Sequence, residues 1–364
     1  MKLYTLIALL LLAEGLVRLT WNTRMGEPGL VLGHPRRIEI LAPDYTGYFN
    51  GQPLRINKLG FRDDREYSLT KLPKTFRIVV LGDSVTFGDG VRFEDTWTYL
   101  LEKRLKEWNP SVDWQVWNLG VPGYDLSMQY RTLMELAPSF KPDLVIEGFY
   151  KNLLNGRNYP AETQDSLWKY RIRWFLRRNI YLFTQIRLWY GELMIAKGDA
   201  TGAGEKRNSQ LISKPLDNPI EYNLDKMQLK HLLPNADKPS LPKSVFKPEG
   251  ELFNYCDRDV KLFKDLNHKG DFSFQFFINI SPDVDLTTDR FVDGPENAVN
   301  QFLLNYLQVN GKQPPSTFDA FWAYRPSELP GAHGHGLAPT NFVKSKVLFD
   351  YLINENDAIR RLKP

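Results

Sequence analysis

The sequence predicts an α/β fold in three layers, α/β/α, around a mostly parallel central sheet, with an N-terminal membrane helix and a helical insertion. Three observations predict it. Short apolar runs ending in turn residues alternate with stretches of helical periodicity, the rhythm breaks once for about a hundred residues after Asn152, and the chain opens on an apolar stretch. With 364 residues, 42% hydrophobic and 25% charged, the chain can bury a sizeable core, which excludes wholesale disorder and small disulfide scaffolds. Lys and Arg number 47 against 43 Asp and Glu, and a net charge of +4 gives no support to nucleic-acid binding. Cys256 stands alone, so no disulfide forms within the chain, and a single thiol gives no clue to compartment.

Residues Leu3 to Ala13 match a signal-peptide core, and Leu16, Val17, Leu19 and Trp21 extend the apolar character toward the roughly 20 residues that a bilayer crossing needs. Glu14 and Arg18, four apart, share one helical face. With no clear small-residue cleavage site, residues 1–22 are expected to be a retained anchor or uncleaved signal. Lys2 precedes the stretch but Arg18, Arg24, Arg36 and Arg37 follow it, so basic residues alone do not send the body across the membrane. Residues 23–74, rich in Gly, Pro and charge, are expected to be an extended lead-in ending in Asn57-Lys58-Leu59-Gly60-Phe61-Arg62-Asp63, with no evident chemistry.

The αβ domain is expected over 75–364. Phe76 to Gly82 (FRIVVLG) is a buried strand by its apolar run, and Glu94 to Trp108 carries Trp97, Leu100, Leu101 and Leu105 at helical spacing. Trp114 to Leu119 is a second strand, Ser127 to Leu136 a second helix and Leu144 to Tyr150 a third strand. Strands separated by helices pair in parallel through right-handed crossovers. An insertion follows at about 153–250. Its segment from Trp168 to Tyr190 sets Trp168, Ile172, Phe175, Leu176, Ile180 and Phe183 on one helical stripe and Arg171, Arg173, Arg177 and Arg178 largely elsewhere, the pattern of a helix on an anionic bilayer or of a cap helix. Residues 197–250 lack a period and are expected to be mostly loop. The rhythm resumes with a helix at Leu252 to Asn267, a strand at Phe272 to Ile280 and helices at Asn297 to Leu307 and Val343 to Ile353.

Gly82-Asp83-Ser84 follows directly on the first strand. A serine at the carboxyl end of a buried parallel strand stands where open αβ sheets bind ligands. The triplet is not the nucleophile elbow, because residue 86 is Thr, nor a phosphate loop, because no Gly-Lys-Ser/Thr follows. Three further stretches close on the same sheet edge: Asn118-Leu119-Gly120-Val121-Pro122-Gly123-Tyr124, Gly148-Phe149-Tyr150-Lys151-Asn152, and His333-Gly334-His335 before the last helix.

With these four stretches in this order the chain resembles the SGNH hydrolases, the GDSL-like esterase and lipase family. The likeness runs from about residue 57 onward, to the form with an N-terminal hydrophobic anchor and an N-x-L-G-F-R lead-in. The resemblance implies a flavodoxin-like sheet, Ser84 as nucleophile, and an oxyanion hole formed by the backbone N–H groups of Ser84 and Gly123 and the side-chain amide of Asn152. It implies His335 as general base, with His333 as the alternative base. Two places depart from the family pattern: the acid expected two or three residues before the histidine is replaced by His333 or Ala332, and the Asp after the oxyanion asparagine by Leu153. Glu328 and Asp319 are the nearest acids upstream.

The implied function is a serine esterase or acyl hydrolase, or an O-acyltransferase, acting on O-acyl groups such as O-acetyl on a glycan or lipid. The two departures make a catalytically inactive binding or scaffold protein of the same fold, in a membrane-associated assembly, the alternative. No metal, cofactor or nucleic-acid partner is expected. The membrane is expected to be met through the N-terminal helix and the 168–190 helix. The body is expected outside the cytoplasm, on the periplasmic side of the inner membrane or at the cell surface.

Overall fold

The structure, a computed structural model, describes residues 2–21, 29–34, 36–155, 251–269, 272–332 and 335–364, with scattered positions between 172 and 248. Helix α1 (Lys2–Thr20) is long and apolar enough to cross a membrane, with a mean hydropathy of 1.8 over Leu3–Thr20 and none of that window buried. The Glu14–Arg18 pair closes at 2.8 Å and does more than the spacing predicts. Glu14 accepts the backbone N–H groups of Tyr181 and Leu182 at 3.0 and 2.8 Å, and Arg18 donates to the Asn179 carbonyl at 2.7 Å. The end of α1 therefore grips the insertion, where residues 181–186 are helical and Ile172 and Phe175 are exposed. Trp168, Arg171, Arg173, Arg177 and Arg178 lie outside the described residues.

Where the sequence predicts an extended lead-in, the chain folds into two antiparallel hairpins: β1 (Val31–His34) with β2 (Ile38–Leu41), and β3 (Thr46–Phe49) with β4 (Gln52–Arg55). The second turns on Asn50 and Gly51, both at positive φ, 47° and 80°. That is the two-residue turn which Asn-Gly favours. Leu30, Ile38, Leu41, Leu54 and Ile56 pack with Phe87, Val121, Tyr124 and Met128, so the lead-in shares a core with the segment bearing the Gly-Asp-Ser triplet.

The central sheet begins with β5 (Thr75–Gly82). The short helix α2 (Ser84–Phe87) follows it at once, and α3 (Trp97–Trp108), β6 (Asp113–Asn118), α4 (Leu126–Phe140) and β7 (Leu144–Phe149) come next. After the insertion, α5 (Glu251–Lys269) leads into β8 (Ser273–Ile278). The four strands run in the order β6-β5-β7-β8, all parallel, as the strand–helix alternation predicts. Alternate residues of β5 serve opposite faces. Ile78 and Val80 join Trp97, Leu101 and Leu105 of α3, whereas Val79 and Leu81 join Leu133 and Phe140 of α4 and Val260 and Phe263 of α5. Both faces are covered, which is why these strands read as unbroken apolar runs.

The remainder completes the edge that holds the site. A small hairpin, β9 (Asp283–Asp285) with β10 (Arg290–Val292), precedes α6 (Pro295–Tyr306) and α7 (Phe318–Phe321). The strands β11 (Gly331–Ala332) and β12 (His335–Gly336) form a two-stranded ribbon leading into α8 (Ala338–Glu355), whose Leu348 and Leu352 cover the Ile78 face; the short α9 (Asp357–Arg360) follows.

Candidate active site

Gly82 and Gly148 sit opposite each other in the β5–β7 register, and together they make room for one side chain. A Cβ on Gly82 would lie 2.0 Å, and one on Gly148 2.3 Å, from Thr86 Oγ1, so the turn of α2 can rest on the strand ends only because both residues lack side chains. Asn118, at the end of β6, supports the same turn. Its Nδ2 donates to the Thr86 carbonyl at 2.8 Å while its Oδ1 accepts from Gly120 N–H at 2.9 Å. The consequence is a rigid platform under one residue: from Arg77 to Val91 every residue is buried except Ser84.

Ser84 Oγ lies 2.6 Å from His335 Nε2, across 251 positions of sequence. The register Ala332↔His335 and the turn into α8 carry the ring there, and its side chain keeps 19% exposure. His333 lies outside the described residues. The far ring nitrogen, Nδ1, is buried with no hydrogen bond to any of the described residues. Among the described residues the carboxylate within 4 Å of it is neither Glu328, which accepts the Arg325 backbone N–H, nor Asp319 in α7; it is Asp89, whose Oδ2 stands 3.8 Å away. Asp89 Oδ1 accepts from Asn50 Nδ2 at 2.6 Å.

Asp83 is 1% exposed and ties the Ser84 turn to the third stretch. Its Oδ1 accepts Val85 N–H at 2.9 Å, and its Oδ2 accepts from Asn152 Nδ2 at 3.2 Å. Burial pushes its carboxyl up, opposed by the Val85 bond, His335, Asn152 and Lys344. Burial also pushes Lys344 of α8 down to about 8, against the attraction of Asp83. One of the two Asn152 amide hydrogens is therefore spent on Asp83, leaving the other as a donor. Leu153, where the resemblance leads one to expect an Asp, is 4% exposed and belongs to the apolar core. Gly123, in the exposed turn after β6, has φ at +84°. The turn is held beside β5 by Val121 N–H on the Gly82 carbonyl at 3.1 Å.

Ser84, His335, Asn152 and the Gly123 turn thus belong to one edge of the sheet. Asp89 is the residue that reading the sequence misses. Its only signal there is its place inside Gly88-Asp89-Gly90, five residues after the serine.

No family model and no curated protein matches the sequence. Among solved structures, the chain is similar to a two-domain esterase (CEX) active on acetylated mannans, at 12% identity and a TM-score of 0.35, over 80% of this chain and 52% of that one. It is similar at the same identity and TM-score to an alpha/beta hydrolase enzyme from the metagenome of Lake Arreo, Spain, over 78% of this chain and 96% of that one. The chain spans about half the length of the two-domain esterase. A likeness this distant says nothing of the chemistry.

Proposed function

We propose that the protein is an SGNH-like serine esterase, tethered to a membrane by α1, that removes O-acyl groups such as O-acetyl from a glycan or lipid. The observation that carries this reading is the 2.6 Å approach of His335 Nε2 to the one unburied residue of the 77–91 segment, Ser84. In the proposed reaction Ser84 Oγ bonds to the ester carbonyl carbon as its proton passes to Nε2. The same proton then goes to the departing alcohol, and water repeats the sequence to release the acid and restore the serine. Negative charge builds on the carbonyl oxygen, where the second Asn152 amide hydrogen and the N–H groups of Ser84 and Gly123 receive it. Removing such a donor typically costs about 2.7–4 kcal/mol of transition-state stabilisation. Asp83 then has a defined part: it fixes the amide plane of Asn152 before substrate arrives, so that no reorganisation is needed at the moment of reaction.

The test is turnover of acetyl and short-chain aryl esters by the purified full chain beside Ser84→Ala. Turnover should fall by at least about a thousandfold in the variant, in line with loss of a nucleophile that works as a unit with its base. Equal turnover by both would overturn the reading. No turnover by either, together with tight binding of an acylated glycan, would favour the scaffold alternative.

A further inference from the structure

The lead-in motif Asn57-Lys58-Leu59-Gly60-Phe61-Arg62-Asp63 shows no chemistry in sequence, yet the structure joins it to the candidate site. Asn57 Oδ1 accepts the N–H groups of Leu59 and Phe61 at 3.0 and 3.1 Å, folding the motif into a tight turn. That turn delivers the guanidinium of Arg62, 3% exposed, to the carbonyls of Phe87, Gly88 and Val91. These three carbonyls bracket Asp89. Gly88 has φ at +83°, and a Cβ there would lie 2.5 Å from Thr96 Cγ2 and 3.3 Å from Arg62 Nη1, so the loop has one way to run. From the other side, the Asn50-Gly51 hairpin turn presents Asn50 Nδ2 to Asp89 Oδ1 at 2.6 Å. The second carboxylate oxygen is left facing His335 Nδ1 at 3.8 Å, with Asp89's side chain only 9% exposed.

We infer that Asp89 is the carboxylate that positions His335, and that Asn50 and Arg62 make the lead-in part of the catalytic machinery by holding Asp89 in place. The inference rests on the esterase reading for its purpose. It supplies the acid missing at Ala332 and His333 from the serine stretch instead of the histidine stretch. When the Ser84 proton reaches Nε2 the ring becomes a cation, and its Nδ1–H then points at Asp89 Oδ2. The proton is not handed on to the carboxylate but leaves through Nε2 to the alcohol. A separation of 3.8 Å suits this task, because such contacts tighten when the imidazolium forms in the reacting complex. Asn50 spends one of its donors on the oxygen turned away from the ring, which keeps the carboxylate from rotating.

The experiment compares the full chain with Asp89→Asn and Asn50→Ala, first by nitrogen NMR of histidine-labelled protein and then by kinetics. In the wild type His335 is expected to carry its neutral proton on Nδ1. In Asp89→Asn, whose amide can donate to that nitrogen, the proton should move to Nε2. Turnover number should fall by about 10²- to 10⁴-fold in Asp89→Asn and by about 10-fold or more in Asn50→Ala, with KM changed by less than about threefold. A purely structural role would move thermal stability and leave the tautomer alone. An unchanged tautomer in Asp89→Asn, or a turnover number within about threefold of wild type while Ser84→Ala abolishes activity, overturns the inference. Because the NMR signature needs no substrate, it decides the point even if Ser84→Ala disproves the esterase reading.

Discussion

Asp83, just past β5, and Glu147, in the neighbouring β7, are both buried carboxyl groups that burial pushes up, but their hydrogen-bond partners differ. Asp83 accepts hydrogen bonds from Val85 N–H and Asn152 Nδ2 and has Lys344 nearby, all of which oppose that rise. Among the described residues Glu147 has no hydrogen-bond partner for either oxygen, and burial, with Asp83 beside it, raises its carboxyl well above the usual range. The folded protein therefore keeps a proton on Glu147 that the unfolded chain releases above about 4.5, its ordinary value. Stability must then decline as pH rises from that point toward the folded value. Glu147→Gln has the shape of the protonated acid and no proton to lose. Its melting temperature should match the wild type near pH 4 and exceed it by several degrees at pH 8, and parallel melting curves across that range would show that Glu147 is ionised in the fold. At this scale the sequence was informative where a residue is fixed by its strand and poor where it is fixed by a loop. Ser84 and His335 were legible because each abuts a periodic element. Asp89 was not, because its direction depends on the left-handed backbone at Gly88 and on Asn50, neither of which is written in local composition.

The strands and helices of the sheet layers follow their apolar periodicity closely. β5 through β8 and α3 through α5 fall within a few residues of the expected spans, because burial on both faces leaves an unambiguous signal. The two lead-in hairpins were missed for the opposite reason. Their strands are four residues long and partly exposed, and Ile38 at the start of β2 and the turn residues Asp44 and Asn50, all at positive φ, dilute any alternation. The Asn50-Gly51 pair was the available signal. Helix α1 poses a different question, since its charge-free run from Leu3 to Ala13 rises only about 16 Å against a hydrocarbon core of about 30 Å. Glu14 and Arg18 extend the usable length. Their charges are paired with each other and bonded to the backbone at 179–182, which lowers the cost of placing them near lipid. The full chain should accordingly stay with membranes through alkaline carbonate extraction and be cut by protease added from outside the cytoplasm. Release by carbonate would mean that α1 is not an anchor, and protection from protease would place the body in the cytoplasm.

Across the whole molecule, the candidate site draws on segments far apart in sequence that meet at one sheet edge: the hairpin tip at Asn50, the turn at Arg62, the serine loop from Asp83 to Asp89, Asn152 after β7 and His335 before α8. Parallel topology accounts for most of this convergence, because it brings the carboxyl ends of β5, β6 and β7 to the same side. It does not account for the lead-in, whose hairpins precede the sheet and whose Asn50 and Arg62 flank Asp89. Loss of the acid before the histidine made an inactive relative a serious reading of the sequence. The proposed role of Asp89, 3.8 Å from the same ring, is what the esterase reading sets against it, while Leu153 still stands in place of the second acid. The most direct test of the central claim is reaction of the full chain with a fluorophosphonate probe, followed by peptide mass mapping, with His335→Ala as the partner variant. A phosphonyl adduct on Ser84, formed at least about a hundredfold more slowly in His335→Ala, is the expected result. An unlabelled Ser84 in folded protein, or labelling at the same rate without the His335 ring, would contradict an activated nucleophile at this position.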